Sequence, residues 1–141
     1  MRYRVRRLAG GMTLIEAVIA LFVFASCIAG ACAVVIKARE LSDTARLHYT
    51  AVNLARNRIE QARTFRYNEL PYLVENQTVV GVKGVPDSTG DFRRTTTISN
   101  VMARLALMTV TVEIRNKYTT RFDGKAEEVS TYLADYMEAP E

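Results

Sequence analysis

Twenty consecutive residues without a charge, Ala17 to Ile36, constrain this chain more than anything else in it. At 1.5 Å per residue, a helix over that run is about 30 Å long, the thickness of a bilayer core. The run is apolar all round instead of along one seam, so a coiled coil does not account for it. On its amino side stand Arg2, Arg4, Arg6 and Arg7 with no acid; on its carboxyl side come Lys37, Arg39, Glu40 and Asp43. That bias predicts an amino end in the cytoplasm and the rest of the chain on the far side of the membrane.

The formal net charge of +4 suggests an anionic partner, but its origin is local. Of 19 Lys and Arg, four lie in residues 1–11, and the other 15 balance 15 Asp and Glu. No nucleic-acid partner is expected for a chain lacking that head. Cys27 and Cys32 both lie inside the apolar run, five apart and on different helix faces, and read as small apolar fillers. Each also follows small residues, as lipoprotein cysteines do, although neither has leucine three places upstream. An ordinary secretory signal has an apolar core of about 7–15 residues, shorter than this one.

The stretch before the run reads Gly10-Gly11-Met12-Thr13-Leu14-Ile15-Glu16. A carboxylate at the membrane edge costs free energy unless something satisfies it. Locally, Thr13 and Glu16 fit the Ser/Thr-x-x-Glu capping box that satisfies the first free amides of a helix. The combination of arginine-rich leader, glycine pair, Thr-Leu-Ile-Glu and spanning run resembles the class III signal of type IV prepilins and pseudopilins. The resemblance implies that a prepilin peptidase cuts after Gly11 and methylates Met12 as the new N-terminus. It further implies that Glu16 pairs with the terminal amine of a neighbouring subunit, with Thr13, Leu14 and Ile15 in the same assembly segment and Ala17 to Ile36 as the transmembrane helix. Met12 stands where phenylalanine is commonest in the family. The proline that often kinks the pilin helix is absent, leaving Gly30 as the one soft point.

Beyond Lys37 the helical pattern turns amphipathic, with Leu41, Ala45, Val52, Ala55, Ile59 and Ala62 forming an apolar stripe and a helix running to about Asn68. Arg39, Asp43, Arg46, Arg56, Glu60 and Arg63 fall off the stripe, with Arg56–Glu60 or Glu60–Arg63 at pairing distance. Pro71, Gly81, Gly84, Pro86 and Gly90 then mark a loop region, with one short strand at Gln77 to Val82. Asp87 and Asp91 there fit turn chemistry better than a calcium loop. Strands are expected at Phe92–Asn100, Leu105–Asn116 and Ala126–Asp135, with an Asp123-Gly124 turn before the last. In the second, Met108, Val110, Val112 and Ile114 alternate with Thr109, Thr111, Glu113 and Arg115.

The expected fold is α+β: a long N-terminal helix, half transmembrane and half amphipathic, packed on a small C-terminal antiparallel sheet. The segments are a cleaved leader at 1–11, the transmembrane and filament-core half of the helix at 12–36, its amphipathic half at 37–69, a variable loop at 70–91, and a sheet of about three strands with a tail at 92–141. This layout is similar to the pilin fold, and the Met-Thr-Leu-Ile-Glu start and Asn57-Arg58-Ile59-Glu60 resemble the V-type minor pilins and I-type minor pseudopilins of type II secretion. The implied partners are prepilin peptidase, other pilin subunits and the inner membrane. His48 is the one histidine, no phosphate loop or nucleophile elbow is present, and no catalytic residue, metal ligand or cofactor is expected. The competing reading is a single-pass membrane protein or lipoprotein with a small periplasmic binding domain and no filament role.

Overall fold

The computed structural model describes residues 13–123 and 125–135. One helix, α1 (Leu14–Ala62), is followed by a 3₁₀ turn (Tyr67–Leu73) and four strands: β1 (Glu75–Val80), β2 (Phe92–Met102), β3 (Leu105–Ile114) and β4 (Ala126–Ala134). The chain divides between Ser42 and Asp43 into two compact units, and α1 contributes to both.

In the first unit α1 starts where its cap dictates. Thr13 stands just outside the helix; its Oγ1 accepts the Glu16 N–H at 3.3 Å and its carbonyl accepts the Ala17 N–H at 3.1 Å. The helix is uninterrupted across Gly30. Ser26, the one hydroxyl of the apolar run, donates back to the Phe22 carbonyl at 2.8 Å, so it brings no unsatisfied donor to the surface. This is a helix long and apolar enough to cross a membrane.

The second unit is an α+β domain in which the last part of α1 packs on the antiparallel sheet. The strands follow in the order β1-β2-β3-β4, each antiparallel to the next. In β3, Ala106, Met108, Val110, Val112 and Ile114 are buried and their alternates are not, as the period of two requires. The facing stripe on α1 is Ala51, Leu54, Ala55, Arg58, Ile59 and Ala62, with Leu47 partly buried at its start. Three alanines among six positions let the sheet come close, while Leu54 and Ile59 contribute most of the apolar area.

Four expectations are corrected here. The stripe does not begin at Leu41 and Ala45, which are exposed, and Val52 is only half-buried beside Ala51; the strands meet the helix only from about Leu47 onward. The helix ends at Ala62, not Asn68, because the Thr64 hydroxyl and amide take the Gln61 carbonyl and Glu69 takes the Arg66 N–H at 3.0 Å, starting the 3₁₀ turn around Pro71. The sheet has four strands: the segment read as a short strand at Gln77 to Val82 is β1, two residues earlier, with a register shift between Glu75 and Thr78 and Gln77 at φ 52°. β3 stops at Ile114 because the Arg115 N–H turns to the Asp91 carbonyl at 2.8 Å. Gly124 of the expected Asp123-Gly124 turn lies outside the described residues. Of the two candidate surface pairs on the helix, Glu60–Arg63 forms, at 3.6 Å.

The loop after β1 depends on a glycine. A Cβ at Gly90 would run into the Val80 carbonyl, so the chain passes β1 on its way to β2 only without a side chain there.

The different surroundings of the two helix halves are measurable in the detergent-solubilised full chain. Leu54→Ala is expected to lower the unfolding free energy of the domain by about 2–5 kcal/mol, whereas Leu21→Ala leaves it within about 0.5 kcal/mol. Urea unfolding monitored by circular dichroism gives both values.

Candidate functional site

The sequence-derived site is the start of α1 and the apolar run behind it. Gly11 and Met12 lie outside the described residues. Thr13, Leu14, Ile15 and Glu16 follow one another through the cap and first turn, and all four side chains are exposed. The first-turn position of Glu16 suits an anion, because the free amides of a helix start carry partial positive charge. Among the described residues no cation is paired with its carboxylate.

Along the run from Leu14 to Ile36, no large apolar side chain is less than 49% exposed. Cys27 and Cys32 are free thiols on this surface. The apolar surface ends in charge: Lys37 Nζ donates to Glu40 Oε2 at 2.8 Å, and this hydrogen bond and the lysine charge hold the Glu40 carboxyl below its ordinary pKa.

The domain holds a second polar arrangement, centred on Arg58. This guanidinium lies on the buried stripe, 8% exposed, and donates to Gln61 Oε1 (2.8 Å), the Leu73 carbonyl (3.0 Å) and Glu75 Oε1 (2.9 Å). Arg94 on β2 grips the same carboxylate through Nε to Oε2 (2.7 Å) and NH2 to Oε1 (3.1 Å). Burial lowers the Arg58 pKa, Glu75 opposes that shift and Arg94 reinforces it. One carboxylate thus ties α1, the chain leaving the 3₁₀ turn, and β2 together. Sequence reasoning missed this group. The available signal was a charge on the helix stripe, since Arg58 falls four residues after Leu54 and four before Ala62.

His48 Nδ1 lies 2.6 Å from Glu127 Oε1, joining α1 to the outer strand β4. The pair is partly exposed and has the geometry of a structural clamp. Among the described residues no three His, Cys, Asp or Glu side chains gather as a metal site. Asp87 Oδ1 instead accepts the Thr89 N–H (2.9 Å) and hydroxyl (2.7 Å), an Asx-type turn, and these bonds lower its pKa.

Removing Glu75 would leave two buried cations facing each other. Glu75→Ala is expected to cost about 3–5 kcal/mol of domain stability, and the apolar triple replacement Arg58→Met, Glu75→Leu, Arg94→Met to recover most of it. Urea unfolding of the three chains tests this.

No protein-family model, curated protein or solved structure matches the chain.

Proposed function

We propose that the chain is a minor pilin or minor pseudopilin, a structural subunit of a type IV pilus or type II secretion pseudopilus. In this reading prepilin peptidase cuts between Gly11 and Met12 and methylates Met12. The helix from Ala17 to Ile36 first holds the subunit in the bacterial inner membrane, amino end in the cytoplasm and domain in the periplasm. Equivalent helices of other subunits then replace lipid around it. The subunit performs no catalysis and needs no cofactor.

The observation that carries this reading is a capped helix whose apolar half is covered by none of the described residues and which begins with a carboxylate, Glu16, that has no ion-pair partner among them. In a low-dielectric assembly such a charge needs a partner. At an effective dielectric of about 20 it attracts a neighbour's terminal amine roughly fourfold more strongly than in water. An antiparallel sheet packed on the second half of the same helix supports the reading at the level of the whole chain.

Two measurements test it. Expressed with and without a prepilin peptidase, the chain is expected to begin at methylated Met12 only when the enzyme is present; intact-mass spectrometry showing a start at Met1, Cys27 or Cys32 overturns the reading and leaves a single-pass protein or lipoprotein. Glu16→Ala and Glu16→Gln are both expected to be cleaved but to fall at least about tenfold in sheared filament fractions, equivalent to ~1.4 kcal/mol. Because glutamine serves a capping box as well as glutamate, normal assembly of Glu16→Gln with loss in Glu16→Ala would assign the residue to capping alone.

A further inference from the structure

The sheet has two edge strands, β1 and β4, and the fold treats them differently. On the outer side of β1 the chain folds back, so that Val80 bridges to Pro86 and the Val79 carbonyl accepts the Asp87 N–H at 3.0 Å. The register of β1 also shifts between Glu75 and Thr78, with Gln77 at φ 52°. Bulges and covering loops of this kind keep a sheet edge from pairing with another chain.

β4 has neither device. Its residues, Ala126–Ala134, include no proline or glycine and keep one unbroken register with β3, from Ala126 opposite Glu113 to Ala134 opposite Leu105. Just beyond its two ends the Ile114 N–H donates to the Lys125 carbonyl at 3.3 Å and the Asp135 N–H to the Arg104 carbonyl at 3.0 Å. Backbone groups alternate in direction along an antiparallel strand, so the odd-numbered residues turn theirs toward β3. Those of Ala126, Glu128, Ser130, Tyr132 and Ala134 point outward, and among the described residues no backbone hydrogen bond meets them there. All of these but Ala134 are exposed, Tyr132 by 63%.

The strand is complementary to itself. In an antiparallel pair centred on Ser130, Ser130 faces its own copy, Glu128 faces Tyr132 and Ala126 faces Ala134, so outward backbone groups meet outward backbone groups. Glu127 faces Leu133, and just beyond the strand Lys125 of one copy stands opposite Asp135 of the other at both ends. Other registers are worse. Centring on Glu128 or Glu127 sets two glutamates face to face, centring on Thr131 sets Glu127 against Asp135, and centring on Val129 leaves Leu133 and Ala134 unpaired.

We propose that β4 is a pairing edge for a second copy of this chain, the two strands running antiparallel about a twofold axis at Ser130 and joining two four-stranded sheets into one. Main-chain hydrogen bonds carry the affinity, and the charges set direction and register. Residues that face one another across such a pair lie on the same side of the sheet, so the helix-covered faces of the two copies stay on one side. The contact lies wholly within the domain and does not depend on the function proposed above.

Cross-linking of the full chain in detergent, with Cys27→Ala and Cys32→Ala, tests the edge and its register. Facing residues of an antiparallel pair have Cα atoms about 5.5 Å apart, within the span of a disulfide. Ser130→Cys is expected to form a disulfide dimer on mild oxidation at least about tenfold faster than Thr97→Cys, an exposed site on β2 away from the edge, because pairing concentrates the thiols. Ala126→Cys and Ala134→Cys are each expected to stay monomeric alone, since either would lie roughly 26 Å from its own copy, and to cross-link when mixed. Ser130→Cys no faster than Thr97→Cys overturns the proposal, and is the outcome if another segment or another protein covers the edge. Ala126→Cys joining to itself as readily as to Ala134→Cys also overturns it, and is the outcome if the apolar helices alone bring the chains together.

Discussion

The large apolar side chains from Leu14 to Ile36 are left uncovered by the described residues of their own chain. At roughly 1.5–3 kcal/mol for each Val, Leu, Ile or Phe kept in water, their sum exceeds the 5–15 kcal/mol that holds a typical domain folded. In the function proposed, lipid or other helices supply the missing contacts. The helix can bear this arrangement because its backbone is satisfied internally and its start is closed by the Thr13 cap.

The later part of the same helix meets the opposite requirement. Between Ala51 and Ala62 small residues alternate with Leu54 and Ile59, and a sheet of alternating pattern covers them. Arg58 interrupts that stripe with a charge, which is tolerated because Glu75, Gln61 and the Leu73 carbonyl all accept from it. Arg94 joins the same carboxylate from β2. The cluster thereby fixes which part of the sheet faces which turn of the helix, a choice that apolar contacts alone leave loose.

In the function proposed, Glu16 is the residue that links these physical facts to assembly. A carboxylate at the start of an apolar helix suits the amides of the first turn, and in the proposed assembly it is the group offered to a neighbouring subunit. The local capping geometry and a role between subunits do not compete, since Thr13 Oγ1 takes the Glu16 amide and leaves its carboxylate free of that bond.

What the sequence determined by itself is everything governed by local period and composition. The uncharged run, the cap at Thr13 and three strand positions were legible because each follows from a repeat of 3.6 or two residues, or from one side chain reaching a nearby amide. The candidate segment Thr13 to Glu16 was legible for the same reason, as a continuous stretch. Only the tertiary structure decided that the stripe runs through Leu54 and Arg58 instead of Leu41 and Ala45, and that the short strand read at Gln77 to Val82 runs from Glu75 to Val80 and joins the sheet beside β2. It alone joined Arg58 to Glu75 and Arg94, and His48 to Glu127. Those ion pairs join partners 17 to 79 positions apart in the chain, and the free energy of such a contact exists only once the intervening residues have folded to bring its two ends together.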